Sequence, residues 1–268
     1  MAEKELVYGL HAVAAVLERS DGSVVNLWVQ RNRRDGRLER LVETAVAAGI
    51  AVHQADRETL DRMVHGARHQ GVVAQCKLPG TRGEDELKAF LDGLRGPAFL
   101  LVLDGVQDPH NLGACLRTAD AAGVQAVIAP RDRAVGLTAT VRKVACGAAE
   151  SVPFFQVTNL ARTLRMLQER GVWLIGAAGE AEASLYDADL RGPVALVLGA
   201  EEKGLRRLTR EHCDLLVRIP MRGAVESLNV SVATGILLYE ALRQRSRMAP
   251  DAAKGAVGQS IASTDPIK

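Results

Sequence analysis

The sequence predicts an α/β protein with a small N-terminal domain and a larger, doubly wound domain. From residue 98 onward, short apolar runs alternate with helical segments, which is typical of a parallel sheet covered on both faces. Before residue 79, a similar alternation is packed into fewer residues. We therefore expect four parts: a domain at 1–78, a linker at 79–97, a second domain at 98–246 and a tail at 247–268.

The N-terminal domain is predicted to alternate helices with strands. Helices are expected where apolar residues recur at helical spacing, and strands where a short apolar run is bounded by polar residues or glycine. The predicted helices lie near 9–19, 37–48 and 57–64, and the predicted strands near 24–29, 50–54 and 71–76. Such a unit is a compact α/β fold.

The second domain begins after a linker that opens at Pro79 and closes at Gly93 to Pro97, with room for a short helix between. Its buried strands are predicted at 99–103, 124–128, 152–157, 172–177, 194–198 and 215–219. Beyond Arg245 the residues are mostly small or polar, which predicts a disordered tail.

The most informative segment runs from Asp104 to Thr118 and leads from the first of these strands into a helix. Such a corner is where α/β proteins place ligands. Pro109 pre-sets the turn, and Asn111 is expected to cap the helix. Arg117 points away from the core and leans over Gly113, where we expect bare backbone. An arginine beside free helix N–H groups suits an anion such as a phosphate.

A second segment, Val194 to Leu205, is an apolar strand that ends in a short loop. Gly199 and Gly204 bound the loop, and Glu201 lies within it. Glycines allow a tight turn and close approach of a ligand to the backbone. Alone, the pattern is that of an ordinary strand and turn.

A third segment follows the last strand, which ends near Ile219. Ser227, Asn229 and Ser231 precede an apolar helix. Each of these three could cap the helix, and one cap suffices. The excess of polar residues favours a further role for some of them.

Together the three segments resemble the SpoU/TrmH family of RNA 2′-O-ribose methyltransferases, within the knotted SPOUT superfamily. The resemblance rests on the segments Asp108 to Thr118, Leu198 to Leu205, Ile219 to Met221 and Ser227 to Ser231, in that order. Tyr8 to Val13 and His69 to Ala74 also resemble the two ends of the family's small N-terminal domain. Longer stretches, 142–153 and 206–213, are most similar to members that methylate a guanosine ribose in the peptidyl-transferase region of 23S rRNA.

The resemblance implies a fold that pattern reasoning alone does not reach. It implies a SPOUT-type C-terminal domain with a deep trefoil knot and an L30e-like, RNA-binding N-terminal domain. General topology rules disfavour knots, so the knot comes from the resemblance alone. No G-x-G-x-x-G follows the first strand of the second domain, so a cofactor is expected at the later loops instead.

The resemblance also implies S-adenosylmethionine as the cofactor and a ribose 2′-hydroxyl as the acceptor, with no metal. It assigns the cofactor to backbone groups around Gly199, Ile219 and Leu228. It assigns the reaction centre to Asn111, Arg117, Glu201, Ser227 and Asn229. Because an arginine stays protonated, Arg117 is better suited to stabilise charge than to accept a proton. A purely capping role for Asn229 remains open.

Composition is that of an ordinary globular protein, with 47% apolar and 25% charged residues. No segment reaches the ~20 apolar residues that span a membrane. The chain has four cysteines without a CxxC pair, so we expect a cytoplasmic protein without disulfides or zinc. The net charge of +2 does not by itself indicate an RNA-binding protein. Arginines do cluster in the N-terminal domain, at positions 31, 33, 34, 37 and 40.

The helix after Asn229 is apolar over a wide arc, which favours a homodimer through the C-terminal domain, as in the family. Burial within the same chain is the alternative.

Three other functions remain open. They are a tRNA or antibiotic-resistance rRNA 2′-O-methyltransferase, a catalytically silent RNA-binding assembly factor, and a nicotinamide dehydrogenase, which the missing glycine fingerprint disfavours.

Overall fold

The computed structural model describes residues 4–18, 24–33, 35–77, 82–200 and 204–246. The expected tail at 247–268 and the expected site residue Glu201 lie outside these ranges. Within them, the chain forms two β-sheets, each with its own helices and core.

The first sheet, counted over the described residues, has four strands in the order β1-β4-β2-β3. Its strands are β1 (Lys4–Tyr8), β2 (Val24–Gln30), β3 (Ala51–Ala55) and β4 (Val72–Lys77), and its helices are α1 (Leu10–Glu18), α2 (Gly36–Ala47) and α3 (Arg57–Met63). The predicted helices and strands of this domain are confirmed to within about two residues. Strand β1 was not predicted. It pairs antiparallel with β4, which is also antiparallel to β2.

The second sheet has seven strands in the described residues, in the order β7-β6-β5-β10-β8-β11-β9, and all neighbours are parallel. The strands are β5 (Phe99–Asp104), β6 (Ala126–Pro130), β7 (Phe154–Val157), β8 (Trp173–Ala177), β9 (Ala183–Ser184), β10 (Val194–Gly199) and β11 (Leu215–Arg218). The six predicted parallel strands are therefore confirmed. The two-residue edge strand β9 was not predicted.

Helices cover both faces of this sheet. They are α4 (Glu84–Asp92), α5 (Pro109–Ala121), α6 (Ala139–Ala145), α7 (Ala148–Ser151), α8 (Leu160–Glu169), α9 (Arg207–His212) and α10 (Val230–Ser246). Side chains alternate along each strand, so Leu101 and Leu103 join the core beneath α5 and α10, whereas Leu100 and Val102 join the core beneath α4 and α8. Burial on both faces explains why the strands are wholly apolar.

Part of the expected linker is structured. Helix α4 occupies 84–92, and its Leu87 is fully buried in the core that includes α8. The backbone N–H of Gln156 donates to the carbonyl of Arg82 at 2.9 Å, which ties the segment before α4 to the outer strand β7. The described part of the linker therefore packs against the larger sheet.

Strand order positions the functional segments. Strand β10 lies between β5 and β8, and Gly199 at its end pairs in register with Asp104 at the end of β5. The three segments that carry the family resemblance therefore leave the same carboxyl edge of the sheet. The trefoil knot implied by the resemblance stays a prediction.

Candidate active site

The first segment forms the corner between β5 and α5. Asp108 caps α5, because its carboxylate accepts a hydrogen bond from the backbone N–H of His110 at 2.8 Å, and Pro109 is the first helical residue. The expectation that Asn111 is the cap was therefore wrong. Asn111 lies in the first helical turn with a largely buried side chain, which leaves its amide available for a tertiary contact.

That contact joins the first segment to the third. The amide nitrogen of Asn229 donates to the Oδ1 atom of Asn111 at 3.0 Å. The Oδ1 atom of Asn229 accepts hydrogen bonds from the backbone N–H and the hydroxyl of Ser231, at 2.9 and 2.6 Å. Asn229 thus stabilises the start of α10 and binds a second predicted site residue as well. Two residues that are 118 apart in sequence meet at one point of the sheet edge.

Arg117 and Gly113 do not face the sheet; they lie on a different side of helix α5. Arg117 is exposed, and its Nη1 atom donates to the thiol of Cys146, at the end of α6, over 3.7 Å. Gly113 does not present bare backbone to solvent, so that expectation was wrong. A Cβ atom at Gly113 would lie 2.6 Å from the Cβ of Val144 and 2.9 Å from the carbonyl oxygen of Val141. The glycine is needed because α6 packs directly on α5 here.

The second segment forms a loop that closes on itself. The N–H of Gly204 donates to the carbonyl of Ala200 at 2.8 Å. A Cβ atom at Gly199 would lie only 2.0 Å from the carbonyl carbon of Gly204 and 2.3 Å from the nitrogen of Leu205. Gly199 is therefore required by contact of the loop with its own backbone, whereas the sequence suggested contact with a ligand.

A cavity of about 170 Å³ opens between this loop and the third segment. Its walls include all three residues expected to bind the cofactor, Gly199, Ile219 and Leu228, and also Ser227. Small residues of the segment after β8, among them Gly179, complete the wall. Short side chains leave backbone groups accessible there, which is what a ligand held by main-chain contacts requires.

A larger cavity of about 380 Å³ lies on the other side of the loop. It is lined by Asn111 and by the backbone turn after β5, beginning at Gly105. The two cavities share three residues, Ala200, Gly204 and Val230. Because these three residues border both cavities, ligands bound in the two cavities would be neighbours. Direct transfer of a group between two ligands needs this arrangement.

An ion pair beneath the larger cavity was missed by the sequence analysis. The carboxylate of Asp104 is fully buried; its Oδ2 atom accepts from the N–H of Arg206 at 3.0 Å, and its Oδ1 atom lies 3.1 Å from the Nε of Arg206, without hydrogen-bond geometry. Arg206 also donates to the carbonyl of Asp132 at 3.0 Å. The pair ties the loop after β10 to the end of β5. An acidic residue at the end of an apolar strand was the signal available in the sequence.

The four cysteines differ in reactivity. Cys76 and Cys115 are buried and Cys146 is exposed. Burial and, to a smaller extent, the nearby carboxylates of Asp214 and Asp104 raise the pKa of the Cys213 thiol to about 12. Cys213 is therefore protonated at neutral pH, and Cys146, beside Arg117, is the accessible thiol.

Two adjoining cavities at the carboxyl edge of a parallel α/β sheet are typical of an enzyme that brings two ligands together. The model of the SpoU rRNA methylase family matches residues 98–239, and the model of the RNA 2′-O ribose methyltransferase substrate-binding domain matches residues 6–81.

Known proteins resemble the chain along most of its length. It is 57% identical to the 23S rRNA (guanosine-2′-O-)-methyltransferase RlmB of Shewanella oneidensis, over 91% of this chain and 99% of that protein. A crystal structure of an RNA 2′-O ribose methyltransferase superposes with a TM-score of 0.76 at 29% identity, covering 91% of this chain and 90% of that one. The fold is also that of the SpoU methyltransferase AviRb of Streptomyces viridochromogenes in complex with AdoMet, with a TM-score of 0.76, 24% identity and 91% of each chain covered. The chain belongs to the SpoU rRNA methylase family.

Proposed function

We propose that the protein transfers a methyl group from S-adenosylmethionine to the 2′-hydroxyl of a guanosine in the peptidyl-transferase region of 23S rRNA. The observation that carries the proposal is the pair of cavities with a common wall at Ala200, Gly204 and Val230. One cavity holds the methyl donor and the other admits the ribose. The likeness to enzymes named for 23S rRNA guanosine supplies the substrate.

The smaller cavity suits the cofactor, because glycine and the backbone of Ile219 and Leu228 form much of its wall. Bound there, the cofactor supplies an electrophilic methyl group on a sulfonium. Gly199 lets the loop close, and Ser227 adds a hydroxyl to the same wall. These residues would hold the cofactor beside the larger cavity, because the two cavities share lining residues.

The remaining polar residues prepare the hydroxyl. The bond from Asn229 to Asn111 fixes both amides at the boundary between the two helices α5 and α10. Arg117, a permanent cation, stabilises negative charge on the attacking oxygen and the neighbouring phosphate. The family resemblance assigns Glu201, which lies outside the described residues, to orient the guanidinium of Arg117. The proton leaves to the phosphate or to water. By holding the hydroxyl in place beside the cofactor cavity, these residues would supply part of the rate enhancement through positioning.

The N-terminal domain selects the RNA. Arg31, Arg37 and Arg40 are exposed on its surface, where they can bind phosphates, although the Nε of Arg40 also donates to the carbonyl of Gly36 at 3.2 Å. Arg33 is paired with Asp35 at 3.1 Å. Since the substrate is ribosomal RNA, we place the enzyme in the cytoplasm. Within the described residues, no helix is long and apolar enough to cross a membrane.

The active unit is a homodimer through the C-terminal domain. Helix α10 buries one face on the sheet, including Leu237 and Leu238, yet Val232 and Tyr239 remain 50% and 51% exposed. Partly buried Ile236, which also packs against the core, lies between them on the same side of the helix. A two-fold axis would cover this stripe with the same stripe of a second copy.

Methyl transfer to defined RNAs tests the proposal. The purified protein is incubated with labelled S-adenosylmethionine and, in parallel, with unmodified 23S rRNA, 50S subunits, 16S rRNA or tRNA. We expect label in 23S rRNA or the subunit, at one guanosine in the peptidyl-transferase region when mapped by a 2′-O-methyl-sensitive primer extension. Label only in tRNA, or no label with cofactor binding intact, would contradict it.

A further inference from the structure

We propose that the cavity of about 380 Å³ receives the target nucleoside and that Arg133 at its rim selects guanine there. This inference rests on the proposed methyl transfer and deepens it by naming the residue that reads the base. A ribose placed at the common wall projects its base away from the cofactor cavity, into the larger one. The volume falls within the ~300–1,000 Å³ of small-molecule sites.

The charged groups around the cavity are mostly committed to the protein itself. Asp104 is buried against Arg206, and Arg206 is held further by the carbonyl of Asp132. Asp108 caps α5. The hydrogen-bonding groups of Asp104 and Arg206 are therefore directed into the fold, and the exposed Asp108 uses one carboxylate oxygen as the helix cap.

Arg133 differs. Its only ion pair among the described residues is with the neighbouring Asp132, at 3.6 Å, and the side chains are 77% and 79% exposed. Such an exposed pair contributes little and exchanges readily for a better partner. The Arg133 guanidinium is therefore available to a ligand at the rim of the cavity.

The backbone that carries Arg133 is fixed. Arg133 adopts a left-handed conformation, with φ of 57°, that a non-glycine residue seldom occupies. Its carbonyl accepts from the amide of Gln107 at 3.4 Å, and the N–H of Val135 donates to the carbonyl of Val106 at 2.9 Å. Both bonds join this loop to the turn that lines the cavity. The position of the arginine relative to the reaction centre is thus set by the fold.

Guanine matches a guanidinium better than the other bases do. It presents two adjacent acceptors, N7 and O6, which arginine binds with two parallel hydrogen bonds. Adenine places a donor amino group where guanine has O6, and would oppose the same arginine. Recognition of this edge requires the nucleotide to be unpaired or turned out of a helix, as is usual in sequence-specific RNA binding.

The test measures how strongly Arg133 and the N7 atom depend on each other. Wild type, Arg133→Ala and Arg131→Ala are compared on 23S rRNA fragments that carry guanosine, 7-deazaguanosine or adenosine at the methylated position. Arg131 is the matched control: it is exposed on the same loop, carries the same charge and does not line the cavity. Cofactor affinity measured by calorimetry verifies that each variant keeps its fold.

Because 7-deazaguanosine lacks N7 but keeps O6, we expect wild type and Arg131→Ala to lose about 3- to 10-fold in kcat/KM on it, roughly half the free energy of a bidentate base contact. Arg133→Ala loses both bonds, so it should be slowed about 10- to 100-fold on guanosine and should methylate guanosine and 7-deazaguanosine at the same rate. The inference would be overturned if Arg133→Ala were slowed, relative to wild type on the same substrate, by an equal factor on guanosine and on 7-deazaguanosine. The variant would then still prefer guanosine, and the arginine would act on the RNA generally. If wild type methylates no RNA at all, the proposed function itself fails.

Discussion

The contact between α5 and α6 makes a quantitative prediction for Gly113→Ala. Alanine in place of a helical glycine normally stabilises by about 1 kcal/mol. Here the new Cβ would lie 2.6 Å from the Cβ of Val144 and 2.9 Å from the carbonyl oxygen of Val141, a backbone atom that cannot rotate away. Overpacking of this kind costs about 1–3 kcal/mol. We expect a net loss of up to about 2 kcal/mol in the free energy of unfolding, or up to about 8 °C in Tm, in place of the usual gain.

Urea unfolding and thermal scans measure this loss, and Gly235→Ala provides the matched control. Gly235 is also in a helix, α10, but its Cβ would meet only the Cγ2 of Thr118, at 3.8 Å, an ordinary contact. That variant should be more stable than wild type, by up to about 1 kcal/mol. The displaced α6 also carries Cys146, so Gly113→Ala should lower kcat through Arg117. If Gly113→Ala gains as much stability as Gly235→Ala, the reasoning from close packing is refuted.

The remaining predictions concern the site, the RNA contacts and the assembly. Arg117→Ala should lower turnover by about 10²–10³ without changing cofactor affinity in calorimetry, and near-normal turnover would exclude the assigned role. Gly199→Val should weaken cofactor binding because it forces the loop away from Gly204; unchanged affinity in the folded variant would rule this out. Arg37→Ala should reduce the slope of log affinity against log salt by about 1, and an unchanged slope would remove that phosphate contact. Sedimentation equilibrium should give a dimer for wild type and a monomer for Tyr239→Lys, whereas a dimeric variant would place the interface elsewhere.

The parallel strands of the second domain were predictable because burial on both faces leaves an unambiguous apolar run. Strand β1 was missed for the opposite reason. It spans Lys4–Tyr8, begins with charged residues and lies at the edge of its sheet, so its apolar signal is short. The order of strands could not be predicted either, since the insertion of β10 between β5 and β8 pairs residues that are 95 apart in sequence, such as Val194 and Phe99.

Errors at the site have a local cause. Both Asp108 and Asn111 are good caps, but Pro109 as the first helical residue identifies Asp108, and that signal was present in the sequence. The reason for glycine at positions 113 and 199 was not readable, because Gly113 contacts atoms of another helix, α6, and Gly199 contacts its own loop only once the loop has folded back. Sequence patterns identify where glycine is needed, whereas only the packing shows what approaches it.

The site depends on the last helix of the described chain. Asn229 at the start of α10 donates to Asn111 in α5, and Thr234 one turn further lies 3.4 Å from the Cys115 thiol, fully buried between the same two helices. Val230, at the same end of α10, belongs to the wall that both cavities share. Neither cavity is therefore complete until α10 has packed on α5. Loss of this packing should abolish cofactor binding and methyl transfer together, even where the rest of the sheet remains folded.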